Sequence, residues 1–237
     1  MKKLSEKFVR KHIVNFVLVI MLVSLFSLTI LTQTVGAFGS NTYAPFYHGN
    51  KGNNNVSIMI NVYQGTEYLQ TILETLKQYN AKVTFFVGGC WAIKNSDIIQ
   101  KMIDDGHEIG NHGYFHKDHK KLSKIDNKKE MELTHNVIQQ VFDYTIKLFA
   151  PPSGSFGQNT LDAAKEMDYQ TIMWTKDTID WRDSNENVLY TRATKNPSSG
   201  DLILMHPTLA TSNILSKVIS FYQKEGYNLT TVYQNIL

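Results

Sequence analysis

Beyond residue 55 the chain alternates between short apolar runs and longer stretches with apolar residues at helical spacing. Residues 56–62 form a run with β-branched members and read as a buried strand. Residues 68–79 carry Leu69, Ile72, Leu73 and Leu76 on one helical face. Residues 82–87 read as a strand, 97–104 as a helix and 107–110 as a short strand. The spacing then predicts a long amphipathic helix over 123–146, with Ser123 as its N-cap. A strand at 148–150, a helix at 161–167, a strand at 171–174 and a helix near 188–193 follow. A strand at 202–205, a helix at 214–224 and a short strand with a final turn in 227–237 complete the pattern. Repeated strand and helix units imply an α/β protein with a parallel sheet, open or closed as a barrel. In such a barrel the chemistry sits at the C-terminal ends of the strands.

The pattern before residue 55 is different. Residues 13–31 are apolar, broken only by Asn15, Ser24, Ser27 and Thr29, and a basic stretch precedes them. Small residues follow, with Val35 and Ala37 suiting a cleavage point before Phe38. The layout reads either as a cleaved secretory signal or as an uncleaved N-terminal membrane anchor over residues 1–37. Residues 38–55, rich in Gly, Asn, Ser and Tyr, read as a linker, and 56–237 as one exported domain. The formal charge of +3 changes meaning once located. Residues 1–12 hold five basic residues against one acidic, whereas residues 51–237 hold 19 basic and 20 acidic. A nearly neutral exported domain argues against a nucleic-acid partner. The single cysteine, Cys90, excludes an intrachain disulfide framework.

Four clusters could carry chemistry. His112 and His116 lie four apart after a strand and read as metal ligands or as ordinary surface histidines, with His119 close by. His206 ends an apolar strand, where it reads as a general acid or base, or as a satisfied core histidine. Asp177 and Asp180 lie between Trp174 and Trp181. Either carboxylate could orient a histidine, and the tryptophan faces suit sugar rings; the bland alternative is a helix cap and core packing. Pro151, Pro152 and Gly154 impose a rigid loop after a strand.

In that order, these clusters resemble the polysaccharide deacetylase family (the NodB-homology domain, carbohydrate esterase family 4). Residues 105–112, reading DGHEIGNH, and 80–89, reading NAKVTFFVGG, are similar to its signatures. Residues 60–62, 150–156, 172–175, 177–181 and 205–208 are similar to a spore-associated branch in endospore-forming Gram-positive bacteria. The resemblance implies a deformed (β/α) barrel that removes acetyl groups from peptidoglycan or chitin-like glycans, with a divalent metal, often zinc. It implies that His112 and His116 hold the metal and that His206 is the general acid. It makes Asp177 and Asp180 candidates to orient a histidine, and Trp181, Pro152 and Trp174 substrate-binding candidates.

The first motif departs from the family. Where the family has T-F-D-D-G, this chain has Asn61-Val62-Tyr63-Gln64-Gly65. Tyr63 stands at the base position and Gln64 at the metal-carboxylate position. Ala150 stands where an arginine orients the base. A phenol is a poor base at neutral pH, and a neutral amide is a weaker ligand than a carboxylate. Two expectations follow. One is an exported, metal-dependent N-acetyl hydrolase with an altered site, secreted or anchored at the cell wall or spore envelope. The other is a non-catalytic protein that binds wall glycan on the same fold.

Overall fold

Parallel pairing organises residues 43–237. The computed structural model describes residues 6–36 and 43–237, which fall into two units divided after Thr42. The first unit contains helix α1 (Glu6–Gly36). The apolar side chains described along it, within 9–24, are exposed. Among the described residues no helix is long and apolar enough to cross a membrane. The expected cleavage point before Phe38 lies outside the described residues.

In the second unit the strands are β1 (Asn55–Val62), β2 (Thr84–Val87), β3 (Glu108–Asn111), β4 (Leu148–Phe149), β5 (Gln170–Thr171), β6 (Lys176–Asp177), β7 (Leu202–Met205) and β8 (Asn228–Leu229). The helices are α2 (Leu69–Gln78), α3 (Gly89–Ala92), α4 (Ser96–Asp104), α5 (Lys124–Phe142), α6 (Gln158–Glu166), α7 (Glu186–Thr194), α8 (Leu209–Lys224) and α9 (Val232–Ile236). The sheet runs β5-β4-β3-β2-β1-β7-β6, with β8 on the first residues of β1, and all pairs are parallel.

The two faces of the sheet bury separate cores. Ile58, Ile60, Val62, Phe85, Val87, Ile203 and Met205 pack with the apolar stripes of α2, α4 and α8. The alternate residues Met59, Phe86, Leu202 and Leu204 meet Leu148, Ala150, Ile172 and Val232 on the other face. The two-residue period of a strand produces this division. Gly110 makes it possible beside Phe86, because a Cβ there would lie 2.4 Å from the phenyl ring.

Several elements differ from the sequence pattern. The expected linker is part of the domain from Tyr43 onward. Phe46 bridges Ile172, the Gly49 amide donates to Gly200 (2.7 Å) and the Asn50 amide to Asn235 (2.7 Å). Gly and Asn here serve close backbone contact, not looseness: a Cβ on Gly49 would meet the Asn235 side chain at 2.3 Å. Ser123 caps α5 as expected, its hydroxyl accepting the Asp126 amide, but the helix stops at Phe142. Asp143 there adopts a left-handed φ of 51° and ends it. Helix α8 starts at Leu209, before the expected 214, because the Thr208 side chain accepts the Thr211 amide and caps it.

Candidate functional site

Four of the residues singled out above follow the C-terminal end of a strand: Tyr63 after β1, His112 after β3, Ala150 after β4 and His206 after β7. The ladder hydrogen bonds continue into these positions. The amide of Gly88 donates to Val62, that of His112 to Val87 and that of Ala150 to Asn111. The site is therefore fastened to the sheet at its base.

His112 is buried and its Nδ1 lies 2.8 Å from the Ala150 carbonyl oxygen. A carbonyl only accepts, so Nδ1 carries the proton and Nε2 keeps its lone pair. Burial first, and then the nearby His116, hold the His112 imidazole well below its usual pKa. His116, half-buried, is also lowered, again chiefly by desolvation. Both rings are neutral at neutral pH, and their centroids lie 5.0 Å apart. The pair does not sit on a helix: it converges from a loop in which Gly113 has φ 72° and His116 φ 54°. The Asn111 side chain fixes the start of this loop, accepting the Gly113 amide (2.9 Å) and donating to Met131 O (2.8 Å).

Glu130 fixes the rest, and sequence reasoning missed it. Its Oε2 accepts the amides of Tyr114 (3.0 Å) and Phe115 (2.8 Å), while Oε1 pairs with Lys117 at 2.9 Å. The signal was present: Glu130 shares the buried stripe of α5 with Asn127, Met131, Thr134 and Ile138. A carboxylate on a buried helical face needs partners. Replacing Glu130 by Ala leaves two amides without an acceptor, and we expect a loss of about 3 kcal/mol in urea unfolding. His119 belongs to the same support. It is buried, with Nδ1 2.7 Å from Asn127 Oδ1 and its ring against Phe149, so it is not a third member of the histidine pair.

The second half of the site is a built dyad. His206 Nδ1 donates to Asp180 Oδ1 at 2.7 Å, leaving Nε2 facing outward chemistry, and its amide donates to Asp180 Oδ2 at 2.6 Å. Thr211 Oγ1 also donates to Oδ2 (2.5 Å). Asp180 is buried, whereas the His206 side chain keeps 16% of its surface exposed. Just before Asp180, Ile179 is forced into the left-handed region at φ 57°, which is strained for a β-branched residue. Arg192 secures the bend by donating to Thr178 O (2.9 Å) and Asp183 (2.6 Å). Asp177 does not reach His206. Its carboxylate accepts the Ile179 amide at 2.8 Å, a turn contact, so of the two aspartates only Asp180 orients the histidine.

Tyr63 and Gln64 occupy the end of β1 differently from a carboxylate pair. The Tyr63 ring stacks on His116 with centroids 3.6 Å apart and planes 21° from parallel. Gln64 is exposed and makes no hydrogen bond to either histidine. Among the described residues no group of three His, Cys, Asp or Glu side chains could hold a metal. A catalytic zinc site takes three protein ligands. Two imidazoles, one of them covered by a phenol ring, do not fit that requirement.

The tryptophans also separate. Trp181 is 62% exposed, with the Arg182 guanidinium 5.8 Å from its ring centre. Trp174 instead packs against the inner core and under Gly154, where a Cβ would lie 2.6 Å from its ring. Pro152 is buried behind Gly113. Trp181 alone of the three presents an open platform.

Residues 48–172 match the family model for polysaccharide deacetylase, more than half of the chain. The chain belongs to the polysaccharide deacetylase family. Its parallel sheet with flanking helices is the deformed (β/α) barrel of carbohydrate esterase family 4 structures. A CE4 family pseudoenzyme from Bacillus anthracis superposes with a TM-score of 0.80 at 35% identity, over 83% of this chain and 70% of that one. The uncharacterized protein YlxY of Bacillus subtilis is 42% identical over 79% of this chain. A peptidoglycan-N-acetylglucosamine deacetylase of Bacillus cereus is 29% identical over 70% of it. The chain spans 59% and 62% of the lengths of these last two proteins. Polysaccharide deacetylases generally depend on a metal, and the first motif of this member lacks the acidic donors that such a dependence requires.

Proposed function

We propose that this protein is a non-catalytic polysaccharide deacetylase that binds cell-wall glycan at the C-terminal end of its barrel without hydrolysing acetyl groups. The observation that carries this reading is the Tyr63 ring stacked on His116, in place of a carboxylate able to act as base or ligand. Likeness to a CE4 pseudoenzyme supports the loss of activity, and likeness to a peptidoglycan deacetylase supports the glycan. The exposed face of Trp181 gives a sugar ring an apolar surface to lie on. We place the protein outside the cytoplasm, at the cell wall or spore envelope, secreted or held at the membrane by its N-terminal segment.

The intact Asp180–His206 dyad favours a second reading, an N-acetyl hydrolase of reduced activity that recruits a divalent ion, zinc by preference, to His112 and His116. The shortage of donors ranks it second. The two readings divide on one experiment: purified protein incubated with peptidoglycan and with N-acetylglucosamine oligomers, with and without added zinc. The expected result is sedimentation with insoluble peptidoglycan and acetate release no greater than that of a His206→Ala variant. Release above that variant's overturns the non-catalytic reading, and failure to sediment removes the binding role.

A further inference from the structure

The flank of the barrel carries a groove that the histidine end does not use. It is a cavity of about 410 Å³, lined by Tyr79 at the end of α2, by Tyr190 of α7 and by side chains from the second half of α8. Helix α8 starts beside His206 at Leu209, and its lining residues begin at Ser216, about 10 Å further along the axis. None of the lining residues belongs to the site described above. The aromatic walls are held in place. Tyr79, Tyr190 and Phe221 pack against the main core, and the Tyr190 and Phe221 rings meet edge to face with centroids 6.3 Å apart. A cavity of this size accommodates a small ligand or one end of a larger one.

The polar part of the lining is rich in donors. Lys217 and Lys224 are exposed and make no ion pair among the described residues. The hydroxyls of Ser216, Ser220, Tyr79 and Tyr190 make no hydrogen bond among them either. An ammonium group only donates, and a hydroxyl is able to donate. The one lining side chain that only accepts is the Glu225 carboxylate. Two ammonium groups against one carboxylate leave the lining with a formal charge of +1. A neutral sugar brings donors as well as acceptors and does not complement this set. An oxyanion brings acceptors and the missing negative charge. A carboxylate has too few oxygens for two ammonium groups and the hydroxyls beside them. A phosphate ester has more terminal oxygens and more charge.

We propose that this groove is a second binding site, separate from the histidine end, and that it takes a phosphate ester of a small polyol. Lys217 and Lys224 pair with the phosphate, and the Ser216 and Ser220 hydroxyls donate to its remaining oxygens. The carbon chain of the alcohol lies against the Tyr190 and Phe221 rings. Glu225 opposes the anion and holds its affinity down. The proposal does not depend on the glycan-binding reading, because the two sites share no residue.

The test titrates the full-length protein by calorimetry with glycerol phosphate, and with glycerol as the uncharged control. The expected result is binding of the ester and not of glycerol, weakening as salt is raised. Lys217→Met and Lys224→Met should each weaken it about tenfold, the worth of a charged hydrogen bond. Lys217→Arg and Lys224→Arg should retain it, and Glu225→Gln should strengthen it. These side chains are exposed, and unchanged thermal midpoints check that the variants fold. Sedimentation with phosphatidic acid vesicles, lost in the same two methionine variants, assigns the ester to a lipid headgroup; without sedimentation the ligand is a free ester. Absence of ester binding, or binding undiminished in both methionine variants, overturns the proposal and leaves the glycan reading untouched. Displacement of the ester by N-acetylglucosamine oligomers overturns the separateness of the two sites. Failure of the protein to sediment with peptidoglycan, with ester binding intact, removes the glycan reading alone.

Discussion

Replacing Tyr63 and Gln64 together by aspartate is expected to raise acetate release from N-acetylglucosamine oligomers about a hundredfold above that of the native protein, the scale of a positioned base. The change acts at one strand end only. It removes the ring that covers His116 and adds two carboxylates beside a pair of neutral imidazoles, of which His112 keeps its Nε2 lone pair free to bind a metal. Two imidazoles and a carboxylate meet the three-ligand requirement of a catalytic zinc site. The candidate proton donor needs no repair, since His206 is already held by Asp180. The single change Gln64→Asp is expected to give stoichiometric zinc uptake with little activity, because the base is still absent. Adding His206→Ala to the double variant is expected to return release to the native level. A double variant that takes up zinc yet releases no acetate would show that the missing part lies elsewhere, with Ala150, which stands buried where the family has arginine, as the first position to examine.

Acidification is expected to weaken the fold steeply, and one histidine accounts for a measurable share. His107 is the third residue of the DGHEIGNH motif and is 4% exposed. Its Nδ1 accepts from the Val83 amide at 3.4 Å, and its Nε2 is buried with no partner. Burial, then repulsion from Lys82, pushes its pKa down to about 4; Asp105 opposes the shift and Lys101 adds to it. The folded protein therefore refuses a proton that the unfolded chain takes up near pH 6.5. This contribution is fully present above that pH and is lost as pH falls towards 4, where both states are protonated. The loss amounts to about 3 kcal/mol. Glu108, raised by burial, works in the opposite direction over part of the range. The native protein should accordingly be compared with His107→Leu, which cannot titrate. Urea midpoints between pH 7 and 4 should fall less steeply in the variant, and parallel slopes would refute the assignment.

Most of the barrel was readable because its strands are apolar runs bounded by polar residues and its helices carry an apolar stripe. Where the signal is nonlocal, the reading failed. Tyr43 to Asn50 has the composition of a linker, and only contacts with residues more than a hundred positions away draw it into the fold. Strand β6, two polar residues at the sheet edge, carries no hydrophobic signature. Asp177 and Asp180 are equivalent on paper, three apart between two tryptophans. The left-handed turn at Ile179 decides between them by carrying one carboxylate to His206 and leaving the other as a cap. Trp174 and Trp181 are divided in the same way, one under a turn and one in solvent. The damage at Tyr63 and Gln64 was visible in the sequence, but the stacking that follows from it was not.

Because neighbouring strand ends are tied together by backbone hydrogen bonds, the working parts of this barrel keep their places whatever side chains end β1. The Asp180–His206 pair is held by its own side-chain hydrogen bond, and the loop after β3 is braced from behind by α5. Natural variation can therefore disable one station and leave its neighbours assembled, as a workbench survives the loss of one tool. A strand end carrying Tyr63 and Gln64 stays two codons from a carboxylate pair.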